Sequence, residues 1–248
     1  MNPTPEPKTP LPTERLACGT EQKKLLPSGP AYFPYRWMVV LLVASSFWFL
    51  PFTGDLFRQV DEFLFRALNQ SLVKVPGVAS LCVYLCHKRE SWLNVVGMLG
   101  VNALSIWALT REKRAWALRW TLWSWLSFQA VLLLQWAALK GVRVHRLSPS
   151  LVLDGVYRVS DLTGISDVKE SSPNSFPAGH TLALTYWLFY LRLCASQRWF
   201  WVMVAAALAI LTARVATGAH WPTDVFFSSL IALACAESMQ GLFQRIEM

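Results

Sequence analysis

Apolar residues run in long blocks along this chain, and the polar residues gather between them. Six blocks stand out, at roughly 37–53, 91–110, 120–139, 177–194, 199–214 and 225–240. Most approach the ~20 residues that cross a hydrocarbon layer as a helix, while 177–194 and 199–214 are shorter. A buried soluble core produces one or two such runs, and six in one small chain exceed that. The pattern predicts an all-α polytopic membrane protein built as a six-helix transmembrane bundle. Between the first two blocks, residues 55–75 alternate charged and apolar positions, with Leu56, Phe57, Val60, Phe63, Leu64, Ala67 and Leu68 on the apolar side. That spacing fits an amphipathic helix lying along the outer interface, or an outward continuation of the first span.

The first block follows about 36 polar, proline-rich residues, so it lacks the terminal placement and cleavage site of a secretory signal peptide. The expected organisation is a flexible cytoplasmic segment over 1–36 and one membrane domain over 37–248. Composition agrees: 54% of residues are hydrophobic, 15% are charged, and there are 13 tryptophans and 14 phenylalanines. Trp37, Trp92, Trp116, Trp120, Trp199 and Trp221 lie at block edges, where an interfacial aromatic belt places them, although some serve equally as packing residues.

Charge sets the expected orientation. Lys8, Arg15, Lys23, Lys24 and Arg36 precede the first block; Arg111, Lys113, Arg114 and Arg119 fill the connection after the second; Arg192 and Arg198 flank the one after the fourth. In a six-span arrangement these share one side, which the positive-inside rule makes cytoplasmic, with both termini inside. Lys140, Arg143, Arg146, Arg158 and Lys169 then fall outside, where a site for anionic phosphate supplies a separate reason for basic residues. The net charge of +8 is mostly a topology signal. Nucleic-acid binding is excluded, because no basic-aromatic groove or known module accompanies the charge. Cys18, Cys82, Cys86, Cys194 and Cys235 form no disulfide framework, and the i,i+4 pair Cys82 and Cys86 is poorly placed for bonding on a helix.

The candidate chemistry sits at block ends. Ala213-Arg-Val-Ala-Thr-Gly-Ala-His-Trp-Pro-Thr-Asp224 joins the last two blocks, and Ser175-Phe-Pro-Ala-Gly-His180 opens the fourth. Two histidines, an arginine and a carboxylate in such places are costly and mark function. Phosphoryl transfer needs an in-line nucleophile and positive donors around the equatorial oxygens. Asp224 follows His220 by four residues, one helical turn, so it can face the same side and hold that imidazole in the reactive tautomer. Gly179 lets the backbone approach a phosphate closely, and the first N–H groups of the helix behind it face an anion. Arg214 offers a permanently charged planar fork. Arg146 and Lys169 are its expected partners, followed by Lys140, Arg143, Arg158 and Arg89. Each has a plain alternative, namely a solvated surface charge, an interfacial histidine at a helix start, or a bundle histidine satisfied by its aspartate.

These residues resemble the type 2 phosphatidic acid phosphatase (PAP2) superfamily, whose signatures are Lys-x6-Arg-Pro, Pro-Ser-Gly-His and Ser-Arg-x5-His-x3-Asp. Arg214, His220 and Asp224 match the third, with Ala213 at its serine; Pro177, Gly179 and His180 match the second, with Ala178 at its serine. The first is degenerate: Arg146-Leu-Ser-Pro149 puts Ser148 where the family has an arginine, and Lys140 is one position out. From Val144-His-Arg-Leu-Ser-Pro-Ser-Leu151 through Tyr157-Arg-Val-Ser160, Lys169 and Gly218-Ala-His-Trp221, the chain is similar to the lipid A 1-diphosphate synthase branch. The resemblance implies a PAP2-type bundle and an enzyme with His220 as the nucleophile that forms a phosphohistidine. His180 would be the proton donor to the leaving oxygen. It implies an inner-membrane phosphotransferase that moves the distal phosphate of undecaprenyl pyrophosphate onto the 1-phosphate of lipid A at the periplasmic face. A phosphatase acting on undecaprenyl pyrophosphate or another phospholipid by the same histidine chemistry is the alternative, and a non-catalytic lipid-binding protein a third. No cofactor is expected, and no metal, since the histidines lack a carboxylate set with zinc spacing.

Overall fold

Among the described residues the apolar blocks form helices, and two of these are long and apolar enough to span a membrane. The computed structural model describes residues 36–49, 51–87, 100, 103, 111–141, 146–194 and 197–247. The segment expected to be flexible, the block at 91–110 apart from Gly100 and Ala103, and the cations Arg89 and Arg143 lie outside them. Among the described residues the elements are α1 (Arg36–Phe49), α2 (Pro51–Lys74), α3 (Val78–Cys86), α4 (Arg111–Gly141), two short helices α5 (Pro149–Val152) and α6 (Val159–Thr163), α7 (Gly179–Cys194), α8 (Gln197–Ala216) and α9 (Pro222–Glu247). The class is all-α.

The six-helix transmembrane bundle is corrected by this structure. Among the described residues, just two helices are long and apolar enough to cross a membrane, over Gln197–Ala216 and Pro222–Phe243. The reasons are local. The first block is divided between α1, of 14 residues, and α2, which begins at Pro51 and carries charge throughout. At ~1.5 Å per residue α1 is about 21 Å long and the 16-residue α7 about 24 Å, short of a ~30 Å hydrocarbon core. Helix α4 has 31 residues, and its side chains from 131 onward lie outside the described residues. Block hydrophobicity registers none of these breaks.

One core joins α4, α7 and α9. Trp120, Leu182, Tyr186, Phe189, Tyr190 and Phe243 pack there against Ala232 and Ala236, small residues that let α7 and α9 approach. Buried hydroxyls in this core find partners, as when Ser127 and Tyr186 meet at 2.7 Å. A second core lies at the other end, where Leu72 of α2, Cys82, Val83 and Cys86 of α3, Val159 and Val168 pack on Ala213 and Ala216 of α8.

Helix α2 is the amphipathic segment foreseen at 55–75, set off from α1 as its own helix. Asp61, Phe65, Asn69 and Leu72 share its buried face at helical spacing, while Phe63 on the opposite side is 72% exposed. Asn69 fastens it: its Nδ2 donates to the Tyr157 carbonyl at 2.8 Å and the Ala216 carbonyl at 2.9 Å, and its Oδ1 accepts the Tyr157 N–H.

Candidate active site

The turn between α8 and α9 carries His220. Helix α8 ends where Gly218 takes φ +83, a left-handed conformation open to glycine. A Cβ there would stand 2.8 Å from the Cβ of Ser150, so both backbone and space demand glycine. Helix α9 starts cleanly, with Pro222 at its first position and Asp224 two residues on, whose Oδ2 accepts the Trp221 N–H at 2.9 Å. The loop ahead of α7 is pinned to the same place: the Ala178 N–H donates to Ser228 Oγ at 2.8 Å, inside the fold.

These anchors bring His220, His180, Arg214 and Lys169 into one cluster. His220 is buried, and its Nδ1 lies 2.7 Å from the Ser175 carbonyl oxygen. A carbonyl only accepts, so Nδ1 carries the proton and Nε2 holds the free lone pair. Burial, chiefly, pushes the imidazole down to about 4, against the opposing Ser175 hydrogen bond and with help from the positive charges of Lys169 and Arg214. The His220 ring is therefore neutral at neutral pH.

His180 stands in the first turn of α7, its Nε2 3.2 Å from Nη2 of Arg214. A guanidinium only donates, so this Nε2 accepts. Burial and the charges of Arg214, Lys169 and His220 push its pKa down. Arg214, in the last turn of α8, is 2% exposed, and its Nε and Nη1 make no hydrogen bond. A buried cation with unused donors is costly unless an anion completes it. Lys169 is half-buried, held through its own N–H to the Cys86 carbonyl at 3.1 Å; burial and the neighbouring Arg214 lower its pKa. Gly179 opens α7 with nothing within 4 Å of where a Cβ would stand. The protein itself does not require glycine there.

The remaining residues singled out from the sequence go elsewhere. Asp224 does not hold His220, whose orienting partner is the Ser175 carbonyl. Asp224 takes the Trp221 N–H and pairs with Arg146. Arg146 is bound by two buried carboxylates, Asp224 through Nη1 and Asp61 through Nη2; it also donates to Thr223 Oγ1 at 2.9 Å and lies over the Trp221 ring. Its charge is thus neutralised within the protein. Arg158 is exposed just ahead of α6. Lys140 falls near the end of α4, where side chains are outside the described set. Ser148, in the degenerate motif, is buried and accepts the Ser172 N–H at 2.9 Å, a contact that pairs two loop segments. Among the described residues, no group of three or more His, Cys, Asp or Glu is gathered as metal ligands would be.

Sequence reading missed Asp61. It belongs to an amphipathic helix far from every motif, and its one signal is an acid on the face that also carries Phe65 and Leu72. Ser175 meets the His220 ring through its backbone carbonyl, which no side-chain pattern signals.

Residues 130–245 match the family model described as the PAP2 superfamily. The structure is similar to that of a transmembrane PAP2 type phosphatidylglycerolphosphate phosphatase from Bacillus subtilis, with a TM-score of 0.55, 17% sequence identity and coverage of 87% of this chain and 98% of that one. The fold is therefore a PAP2 fold. Among curated proteins, the chain is 24% identical over 202 residues to lipid A 1-diphosphate synthase of Escherichia coli (strain K12), covering 79% of this chain and 81% of that protein.

Proposed function

We propose that the chain is a metal-independent lipid phosphatase or phosphotransferase that works through a phosphohistidine at His220. One observation carries this reading: a buried arginine with two unused donors lies against one neutral histidine, and its charge bears on a second whose Nε2 is free. The Nε2 lone pair of His220 attacks the terminal phosphorus of the donor lipid, forming the N–P bond as the P–O bond to the leaving lipid phosphate breaks. Arg214 and Lys169 meet the equatorial oxygens, with the first N–H groups of α7 behind Gly179. A phosphate anion between Arg214 and His180 offsets the cations that keep that ring neutral. His180 then takes up a proton from water and passes it to the leaving oxygen. The acceptor oxygen then attacks the phosphorus, giving its proton to His180 as the new O–P bond forms and the N–P bond breaks, which regenerates His220.

The finer reading takes undecaprenyl pyrophosphate as donor and the 1-phosphate of lipid A as acceptor. Its support is the similarity to lipid A 1-diphosphate synthase over most of both chains and the Val144–Trp221 stretch. The two apolar helices α8 and α9 meet at the His220 turn, and Arg192 and Arg198 lie at the opposite end. Positive-inside placement of that end supports a site on the outer, periplasmic face of an inner membrane.

A purified two-lipid assay with donor labelled at the distal phosphate, run with and without lipid A, tests this. Label appearing on lipid A is the expected result. Free phosphate alone, with lipid A present, replaces the transferase by a phosphatase, for which the Pro177-Ala-Gly-His180 loop provides a specific reason. Full turnover by a His220→Ala protein removes the nucleophile assignment in either case.

A further inference from the structure

We infer that Asp61 is a positioning residue for the turn that carries His220, supplied by α2 from outside every sequence motif and outside the segment that matches the family model. The inference rests on His220 being the nucleophile. Asp61 is 1% exposed, and both its oxygens are occupied. Oδ1 accepts the Thr223 N–H at 2.8 Å, one of the first N–H groups of α9 that the helix itself leaves without partners. Oδ2 accepts from Thr223 Oγ1 and pairs with Nη2 of Arg146. Through its other nitrogen Arg146 grips Asp224, whose second oxygen holds the N–H of Trp221, the residue after His220.

The chain of contacts closes on the turn from a second side. The Trp221 ring lies under Arg146, 5.4 Å from its guanidinium carbon, and its Nε1 donates to the Leu147 carbonyl at 2.9 Å. Phe65, one turn after Asp61 on α2, meets the same ring edge-on with centroids 6.1 Å apart. Helix α2 thus fixes the backbone on the C-terminal side of His220, and the Ser175 carbonyl fixes the imidazole. Ser175 is tied to this network too, since its N–H and Oγ both donate to the Arg146 carbonyl, at 2.7 and 3.0 Å. Arg146 therefore holds Asp61 and Asp224 by its side chain and the His220 orienter by its backbone. Asp61 is the carboxylate that holds this arginine from the side away from Asp224.

Asparagine has the shape of Asp61 but not its two acceptors, so Asp61→Asn faces a donor toward either Arg146 or the Thr223 N–H. Misplacement of a reacting group by a fraction of an ångström to an ångström is felt in turnover more than in binding. The expected result for Asp61→Asn is a kcat lowered by about 10- to 100-fold with KM within about twofold, in protein that still melts cooperatively in detergent. If Asp61 acts through Arg146, Asp61→Asn adds little to Arg146→Gln, and the double variant is close to the worse single one. Thr223→Val removes just one arm of the network and gives a smaller loss of kcat, again with KM unchanged. It carries the test should Asp61→Asn fail to fold. Wild-type kcat in these variants, or a loss that falls on KM alone, overturns the inference, as does simple additivity with Arg146→Gln. His220→Ala run alongside separates the two layers. If it is inactive while Asp61→Asn is normal, the Asp61 inference falls alone; if it is fully active, the nucleophile reading falls first.

Discussion

Arg146 and Arg214 look alike in the sequence, each a cation beside a turn between elements, yet they occupy opposite electrostatic settings. Arg146 lies between two buried carboxylates, with a threonine hydroxyl and an indole face completing its shell. Arg214 has a neutral histidine at one nitrogen and no hydrogen bond at Nε or Nη1. One holds the protein together; the other is held ready by the protein at some cost in stability. Residue type alone does not separate these roles, because the separation comes from which carboxylates the fold delivers. For Arg146 they come from α2 and α9; among the described residues none pairs with Arg214.

The largest effect expected is on chemistry common to both regions. His220→Ala lowers turnover of a labelled pyrophosphate lipid by about 10⁴-fold or more, since no other described group takes over the attack. The comparison itself is tested next by removing each charge. Arg214→Met should lower kcat/KM by about 10²- to 10³-fold, as loss of an anion-stabilising donor does, while the melting temperature stays level or rises. Arg146→Met should do the reverse first. It leaves two carboxylates buried and unpaired, a loss of about 3 kcal/mol or more, seen as a lower melting temperature. A destabilised Arg214→Met together with a fully stable Arg146→Met would erase the distinction.

Two glycines offer a smaller and parallel contrast. Gly218→Ala meets a left-handed φ and the Ser150 side chain at once, and should destabilise by about 1–3 kcal/mol. Gly179→Ala meets open space and should leave the melting temperature unchanged, while activity drops if the phosphate approaches the start of α7.

Acid should separate stability from catalysis least sharply. With His220 pushed down to about 4 from 6.5, the unfolded chain takes up a proton that the folded one refuses across that interval. Stability therefore falls as pH drops from about 6.5 to about 4, and a melting series over that range measures it. If His220 is the attacking group, its ring stays neutral until the lower limit, so the acid limb of kcat/KM due to it should fall near 4 rather than near 6.5.

Much of this was legible from residue spacing. His180, Arg214 and His220 sit at helix ends in short motifs, and the turn after α8 closes locally, with the Ala219 N–H on the Arg214 carbonyl at 3.2 Å. The amphipathic α2 was equally visible, because a helix writes its faces at intervals of three and four. What escaped was long-range. Asp61 meets Thr223 across 162 positions, and no periodicity in either segment points to the other. The same segment brings Arg146 between Asp61 and Asp224, so that Arg146 and Asp224 face each other rather than His220. The number of spans escaped for a different reason. Hydrophobic blocks record composition, whereas the described helices within them are shorter, 14 residues in α1 and 16 in α7.

The most direct measurement is to trap the labelled phosphoenzyme from a pyrophosphate lipid and locate the phosphate by peptide mass spectrometry with separation of the two phosphohistidine isomers. A hydrogen bond from Nδ1 to the Ser175 carbonyl predicts an adduct on Nε2 of His220. An adduct on Nδ1, on His180, or on no histidine at all would contradict the account.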